Sequence, residues 1–117
     1  MIIWINGAFG AGKTTLAEEL HRRLPDALAF DPEFVGYILS ILHVFLDVLP
    51  EELHRRIDAQ VLHEDNPEAD ASAGTFRHRN VERCVAAGAE LPGSTLILRG
   101  DRHTPAELAD LVMDALR

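Results

Sequence analysis

Residues 7 to 15 read GAFGAGKTT and follow directly on the apolar run IIWI. Gly7 to Thr14 match the pattern GxxxxGK[ST] at every fixed position. A loop of this kind wraps a phosphate with consecutive backbone N–H groups turned inward, and glycine is needed wherever a side chain would clash. The helix that follows adds the partial positive charge of its N-terminus. Lys13 is placed to reach the β- and γ-phosphates of a nucleotide, and the Thr14 hydroxyl to ligate Mg²⁺. Gly7, Ala8, Phe9, Gly10, Ala11, Gly12, Lys13, Thr14 and Thr15 are therefore the expected phosphate-binding residues. A chance match in a chain this size is on the order of one per cent or less, given the ordinary frequency of glycine. The pattern reads as a nucleotide site.

Phosphoryl transfer also needs a base and mobile positive charge. Asp31 follows the short apolar run Ala27 to Phe30. At the carboxyl end of a parallel strand beside the loop, its carboxylate would accept the proton of a substrate hydroxyl. An ordinary Asp-Pro turn, Asp31-Pro32, is the other reading. Arg77, Arg79 and Arg83 cluster beyond an acidic stretch, and Arg79 and Arg83 share a helical face. Such arginines either close over a transferring phosphoryl group or pair with acids on a solvated helix. Arg55 and Arg56 stand at the other root of the same segment. Asp47 ends the apolar run HVFLD, where it either anchors Mg²⁺ or simply precedes a helix. The six histidines show no metal-binding spacing, so no metal beyond nucleotide-bound Mg²⁺ is expected. Cys84, between Val81 and Val85, is expected to be buried and inert.

These groups need a frame. Ile2 to Asn6 is expected to be a buried parallel strand, and Leu16, Leu20 and Leu24 mark a helix stopped by Pro25. With a second short strand over Ala27 to Phe30, this is a βαβ opening. Pro50-Glu51-Glu52 starts a helix with Leu53, Ile57 and Val61 inward. Asp65 to Gly74 (DNPEADASAG) reads as a loop or disordered stretch, and Phe76 to Ala87 as a helix. Ser94 to Leu98 is a strand. Thr104, Pro105 and Glu107 then make a capping box at the start of the last helix, whose stripe is Leu108, Leu111, Val112, Ala115 and Leu116. Tyr37 to Leu49 is ambiguous. It fits an amphipathic helix at face value, yet three or four strands are few for a doubly wound sheet. A segment missing near Ser40-Ile41, with Ile41 to Val48 a later strand, resolves the conflict.

Composition narrows the class. The 117 residues make one domain, 1–117, with a flexible lid-like segment at about 63–79. Eleven basic against nineteen acidic residues give a net charge of −8, which argues against a broad nucleic-acid face. Hydrophobic residues make up 47%, as expected of a soluble globular protein. No window reaches 18 consecutive apolar residues, so no transmembrane segment is expected, and peripheral membrane contact stays open. The first residues lack a basic n-region, so no signal peptide is expected. With Cys84 the single cysteine, no internal disulfide can form, which suits the cytoplasm.

MIIWINGAFGAGKTTLAEELHRRL and AFDPEFVGYIL closely resemble the tunicamycin-resistance family of bacterial phosphate-loop proteins, as do HVFLDVLPEELHRRI and NVERCVAAG further along. More loosely, the arrangement is similar to chloramphenicol phosphotransferase and the small nucleoside-type kinases. The resemblance implies a three-layer α/β/α fold with a mainly parallel, five-stranded sheet, an ATP site at the phosphate loop, and a lid. It implies that Asp31 is the general base and that Arg77, Arg79 and Arg83 lie in the lid region. It also places Arg99 to Asp101 in the loop near adenine. Two departures stand out. The family's stretch between Ile38 and Val44 is missing, and Asp58 and Gln60 stand where such kinases carry an arginine after Arg56. Three functions follow: ATP-dependent phosphorylation of a nucleoside-type antibiotic such as tunicamycin, drug sequestration without chemistry, or a metabolic nucleoside or sugar kinase.

Overall fold

The computed structural model describes residues 2–27 and 41–117. Three strands, β1 (Ile2–Gly7), β2 (Ile41–Asp47) and β3 (Leu96–Arg99), form a parallel sheet in the order β1-β2-β3. Among the described residues, four α-helices accompany them: α1 (Lys13–Arg23), α2 (Pro50–Ala59), α3 (Pro67–Ala86) and α4 (Pro105–Ala115). The fold is α/β, as expected, and its described sheet has three strands.

The ambiguous apolar run resolves as a strand. β2 lies between the other two, so that Gly7 pairs with Leu46 and Asp47 with Arg99. A central parallel strand is covered on both faces and reads as a continuous apolar run, which is why helical spacing alone misleads here. Val44 and Leu46 are buried together with Leu16 and Leu20 of α1, Leu53 and Ile57 of α2, Val81 of α3, and Leu108, Ala109 and Val112 of α4. One cluster thus gathers all four helices around β2.

The expected start of α4 is present in full. Thr104 accepts from the Glu107 amide, and the Glu107 side chain accepts from the Thr104 amide. α2 begins at Pro50 with Glu51 and Glu52 in its first turn. Val61, expected inward with Leu53 and Ile57, is instead exposed, because α2 ends at Ala59.

Asp65 to Gly74 also needs correction: it is helical from Pro67 onward. Asn66 caps the helix by accepting from the Ala69 amide, Pro67 occupies the first turn, and Glu68 and Asp70 lie at the positive end of the macrodipole. The small and acidic residues that resemble a disordered tract are an N-terminal helix signature. Cys84 is half-buried rather than sealed in the core. The second strand expected over Ala27 to Phe30, and Asp31 with it, falls almost wholly outside the described residues.

Candidate phosphate-binding site

Three connections meet at the carboxyl edge of the sheet: the loop after β1, the short β2–α2 turn, and the β3–α4 loop. The first is the glycine-rich loop. Gly10 (φ 79°) and Gly12 (φ 99°) both hold left-handed backbone, which costs other residues about 1–2 kcal/mol each. A Cβ placed on Gly12 would meet nothing within 4 Å, so the chain there borders open space. Gly12 is the N-cap of α1 and no side chain caps this end. The first helical bond runs from Leu16 N–H to the Gly12 carbonyl. The amides of Lys13, Thr14 and Thr15 thus precede it, which leaves them without helical acceptors. Thr14 and Thr15 are exposed, while Ala8 and Ala11 are buried and anchor the loop to the core.

Lys13 Nζ donates to the carbonyls of Gly7 (2.6 Å) and Ala8 (2.7 Å) and sits 5.8 Å from the centre of the Phe9 ring. Burial lowers its ammonium pKa below the ordinary value, with the nearby Cys84 opposing this. An anion brought beside Lys13 would act in the opposite sense and favour the charged form.

The other two connections brace the loop. Gly100 comes so close that a Cβ there would lie 2.7 Å from the Ala11 carbonyl oxygen and 2.9 Å from Val48. Its amide donates to the Asp47 carbonyl at 2.9 Å. Arg99 holds Asp101 through two hydrogen bonds, 2.9 Å to Oδ1 and 2.7 Å to Oδ2, and Asp101 also accepts from the Leu49 amide. The guanidinium is the main reason the Asp101 carboxyl lies below its ordinary range. Arg99 and Asp101 therefore stand next to the phosphate loop, with the carboxylate engaged in binding two connections together.

Arg56 is the brace that sequence reading assigned elsewhere. Its guanidinium donates to the Gly10 carbonyl at 2.8 Å, to the Gly100 carbonyl at 3.0 Å and to Glu52 at 3.0 Å. It thereby joins the phosphate loop to the β3–α4 loop. The visible hint is Glu52, four residues earlier on the same helix face.

The arginines of α3 divide. Arg77 is buried and donates to Gln60 at 2.7 Å, toward the end of α2. Arg79 and Arg83 are exposed, three and seven residues beyond Phe76. Phe76 meets Phe9 of the phosphate loop edge to face, with centroids 5.9 Å apart. By helical spacing, Arg83 and Arg79 fall on the side of α3 that carries this contact. Asp47 is half-buried at the carboxyl end of β2. Among the described residues, no group of three or more His, Cys, Asp or Glu is arranged to hold a metal ion.

This geometry is compatible with a phosphate-loop kinase-like fold, and one comparison agrees with it. The chain is similar to the cytidylate kinase of Roseiflexus castenholzii, 33% identical over 134 aligned positions that cover 96% of this chain and 55% of the relative. The chain spans about half the length of that relative. The alignment is longer than the chain's 117 residues, so the relative carries residues with no counterpart here. No protein-family model matches, and no solved structure does either. Among the described residues, no helix is long and apolar enough to cross a membrane.

Proposed function

We propose that the chain is an ATP-dependent phosphotransferase that moves a phosphoryl group onto a hydroxyl or phosphate oxygen of a small nucleoside-type molecule in the cytoplasm. The observation that carries this reading is the loop itself: two left-handed glycines, an uncapped helix start bordering open space, and an ammonium held at the loop. ATP with Mg²⁺ would supply the transferable phosphoryl group and the divalent charge. In this reading the amides of Gly10 and of Gly12 to Thr15 hold phosphate oxygens, Lys13 balances their charge, and the Thr14 hydroxyl is a Mg²⁺ ligand. Asp31 accepts the proton of the acceptor. Arg79, with Arg77 behind it, belongs to a lid over about 63–79, Arg83 follows one turn beyond, and Arg99 and Asp101 border the nucleotide base.

Two acceptors follow from different likenesses. The likeness to a cytidylate kinase favours a cytidine nucleotide. The motifs resembling the tunicamycin-resistance family favour tunicamycin, with antibiotic resistance as the outcome. Incubation with ATP, Mg²⁺ and each acceptor in turn, followed by mass spectrometry, distinguishes them. A mass gain of one phosphate on either acceptor, lost in Asp31→Asn while ATP still binds, is the expected result. Binding of ATP and drug with no phosphate gain on any acceptor would overturn phosphoryl transfer and favour sequestration.

A further inference from the structure

Away from the phosphate loop, α2 and α3 are joined by four titratable side chains in a row. His54 Nδ1 lies 2.6 Å from His78 Nδ1, His54 Nε2 lies 3.1 Å from Glu82, and His78 Nε2 lies 2.7 Å from Asp58. The ring planes are 17° apart and their centroids 4.9 Å apart, so the rings meet through their nitrogens. Both imidazoles are about two-thirds buried, while both carboxylates face solvent.

Counting protons shows what this row holds. A carboxylate only accepts, so each Nε2 must carry a hydrogen. Two Nδ1 atoms in hydrogen-bond contact share one hydrogen, one donating and the other accepting. Four ring nitrogens then carry three protons, which is one positive charge over two imidazoles. A metal ion does not fit between the rings. Zinc–nitrogen bonds of about 2.0–2.1 Å would hold two tetrahedral ligands roughly 3.3 Å apart, wider than the observed contact.

We propose that this shared proton is a latch: His54 and His78 are positioning residues that fasten α3 to α2 only while the pair carries a single positive charge. A second proton sets two N–H donors against each other. Loss of the shared proton leaves the two bare Nδ1 lone pairs facing each other. The junction is therefore tightest at intermediate pH and loosens on both sides. Other charged groups nearby are already engaged: Arg55 with Glu52, Arg77 with Gln60, and Asp70 with the amides of Leu62 and His63. Glu51 lies one turn before His54 on α2. Asp58 and Glu82 are the two that face the pair, and the His54 hydrogen bond holds the Glu82 carboxyl below its ordinary range.

The latch bears on the phosphate loop because Phe76, two residues before His78, packs on Phe9. Its existence is independent of phosphoryl transfer; only its effect on turnover rests on the proposed function. Thermal unfolding measured from about pH 5 to about pH 8, where an ordinary imidazole changes charge, tests the latch without any substrate. The unmodified chain should show a stability maximum inside that interval. His54→Gln and His78→Gln should each lose it, and the double variant should match either single one. A monotonic wild-type profile, or variants that keep the maximum, would overturn the proposal. Should a variant fail to fold, NMR of the unmodified chain decides. A through-hydrogen-bond coupling between the two Nδ1 nuclei is expected at the stability maximum, and its absence there sinks the latch.

Discussion

The phosphate-loop corner and the α2–α3 junction hold their groups in opposite ways. At the corner, positions are fixed by backbone and by buried contacts. Ala8 and Ala11 are in the core, Gly100 abuts Ala11, and Arg56 grips two carbonyls. At the junction, α3 is twenty residues long yet buries only Arg77 and Val81 fully, and much of its attachment is by partly exposed ionisable side chains. Exposed polar contacts open at lower free energy than buried apolar ones. Under the proposed function, a site that holds phosphate oxygens still and also admits a substrate would be served by this division. Preorganised donors need rigidity, and a covering element needs the freedom to move.

The largest effect expected from this contrast is on chemistry. Lys13→Ala removes a fixed charge from the rigid corner and should lower phosphoryl transfer by about a hundred- to a thousandfold, as loss of one preorganised donor does elsewhere. Arg79→Ala and Arg83→Ala remove charges from an exposed helix and should cost distinctly less. Steady-state rates for the three variants check this. Equal losses would mean that α3 is held as firmly as the loop during turnover, and the contrast would fail.

What could be read beforehand follows the same line. The phosphate loop, α1 and the capping box of α4 announce themselves through neighbouring residues, because their hydrogen bonds close within a few positions. β2 was ambiguous because a fully covered strand has no polar face to mark its period. The start of α3 is not legible as a helix because Asn66, Pro67 and Glu68 belong equally to a disordered tract and to a helix cap. Arg56 escaped because its partners Gly10 and Gly100 lie 46 and 44 residues away in the chain. Asp31 lies outside the described residues, so the role proposed for it rests on the sequence alone.

A smaller effect concerns stability. Leu53 is fully buried, and its side chain lies 3.9 Å from where a Cβ on Gly10 would stand. Leu53→Ala should destabilise the fold by about 3 kcal/mol through lost contacts and a cavity. Asn66→Ala removes only the α3 cap and should cost about 1 kcal/mol. Denaturant unfolding gives both numbers. If Asn66→Ala proved the costlier, α3 rather than the core would be holding the molecule together.

The smallest effect concerns acid and what keeps the corner rigid. Glu52 is held from 4.5 down to about 2, chiefly by the hydrogen bond from Arg55 and then by that from Arg56. Glu19 is held down to about 2 in the same way by Arg22 and Arg23, far from the junction. A carboxyl whose folded pKa is depressed contributes stability that is present above 4.5 and lost as the pH falls toward 2. Both glutamates are at the surface, so each contribution is modest and weakens with salt. Glu52→Gln and Glu19→Gln should therefore shift the acid-unfolding midpoint upward by similar small amounts. They should differ at the loop, because only Glu52 orients the guanidinium that binds the carbonyls of Gly10 and Gly100. Amide hydrogen exchange at Ala11, whose N–H closes the turn onto the Ala8 carbonyl, should quicken in Glu52→Gln and not in Glu19→Gln. Equal exchange in the two variants would show that Arg56 holds its grip without Glu52, and that the corner's rigidity comes from the core alone.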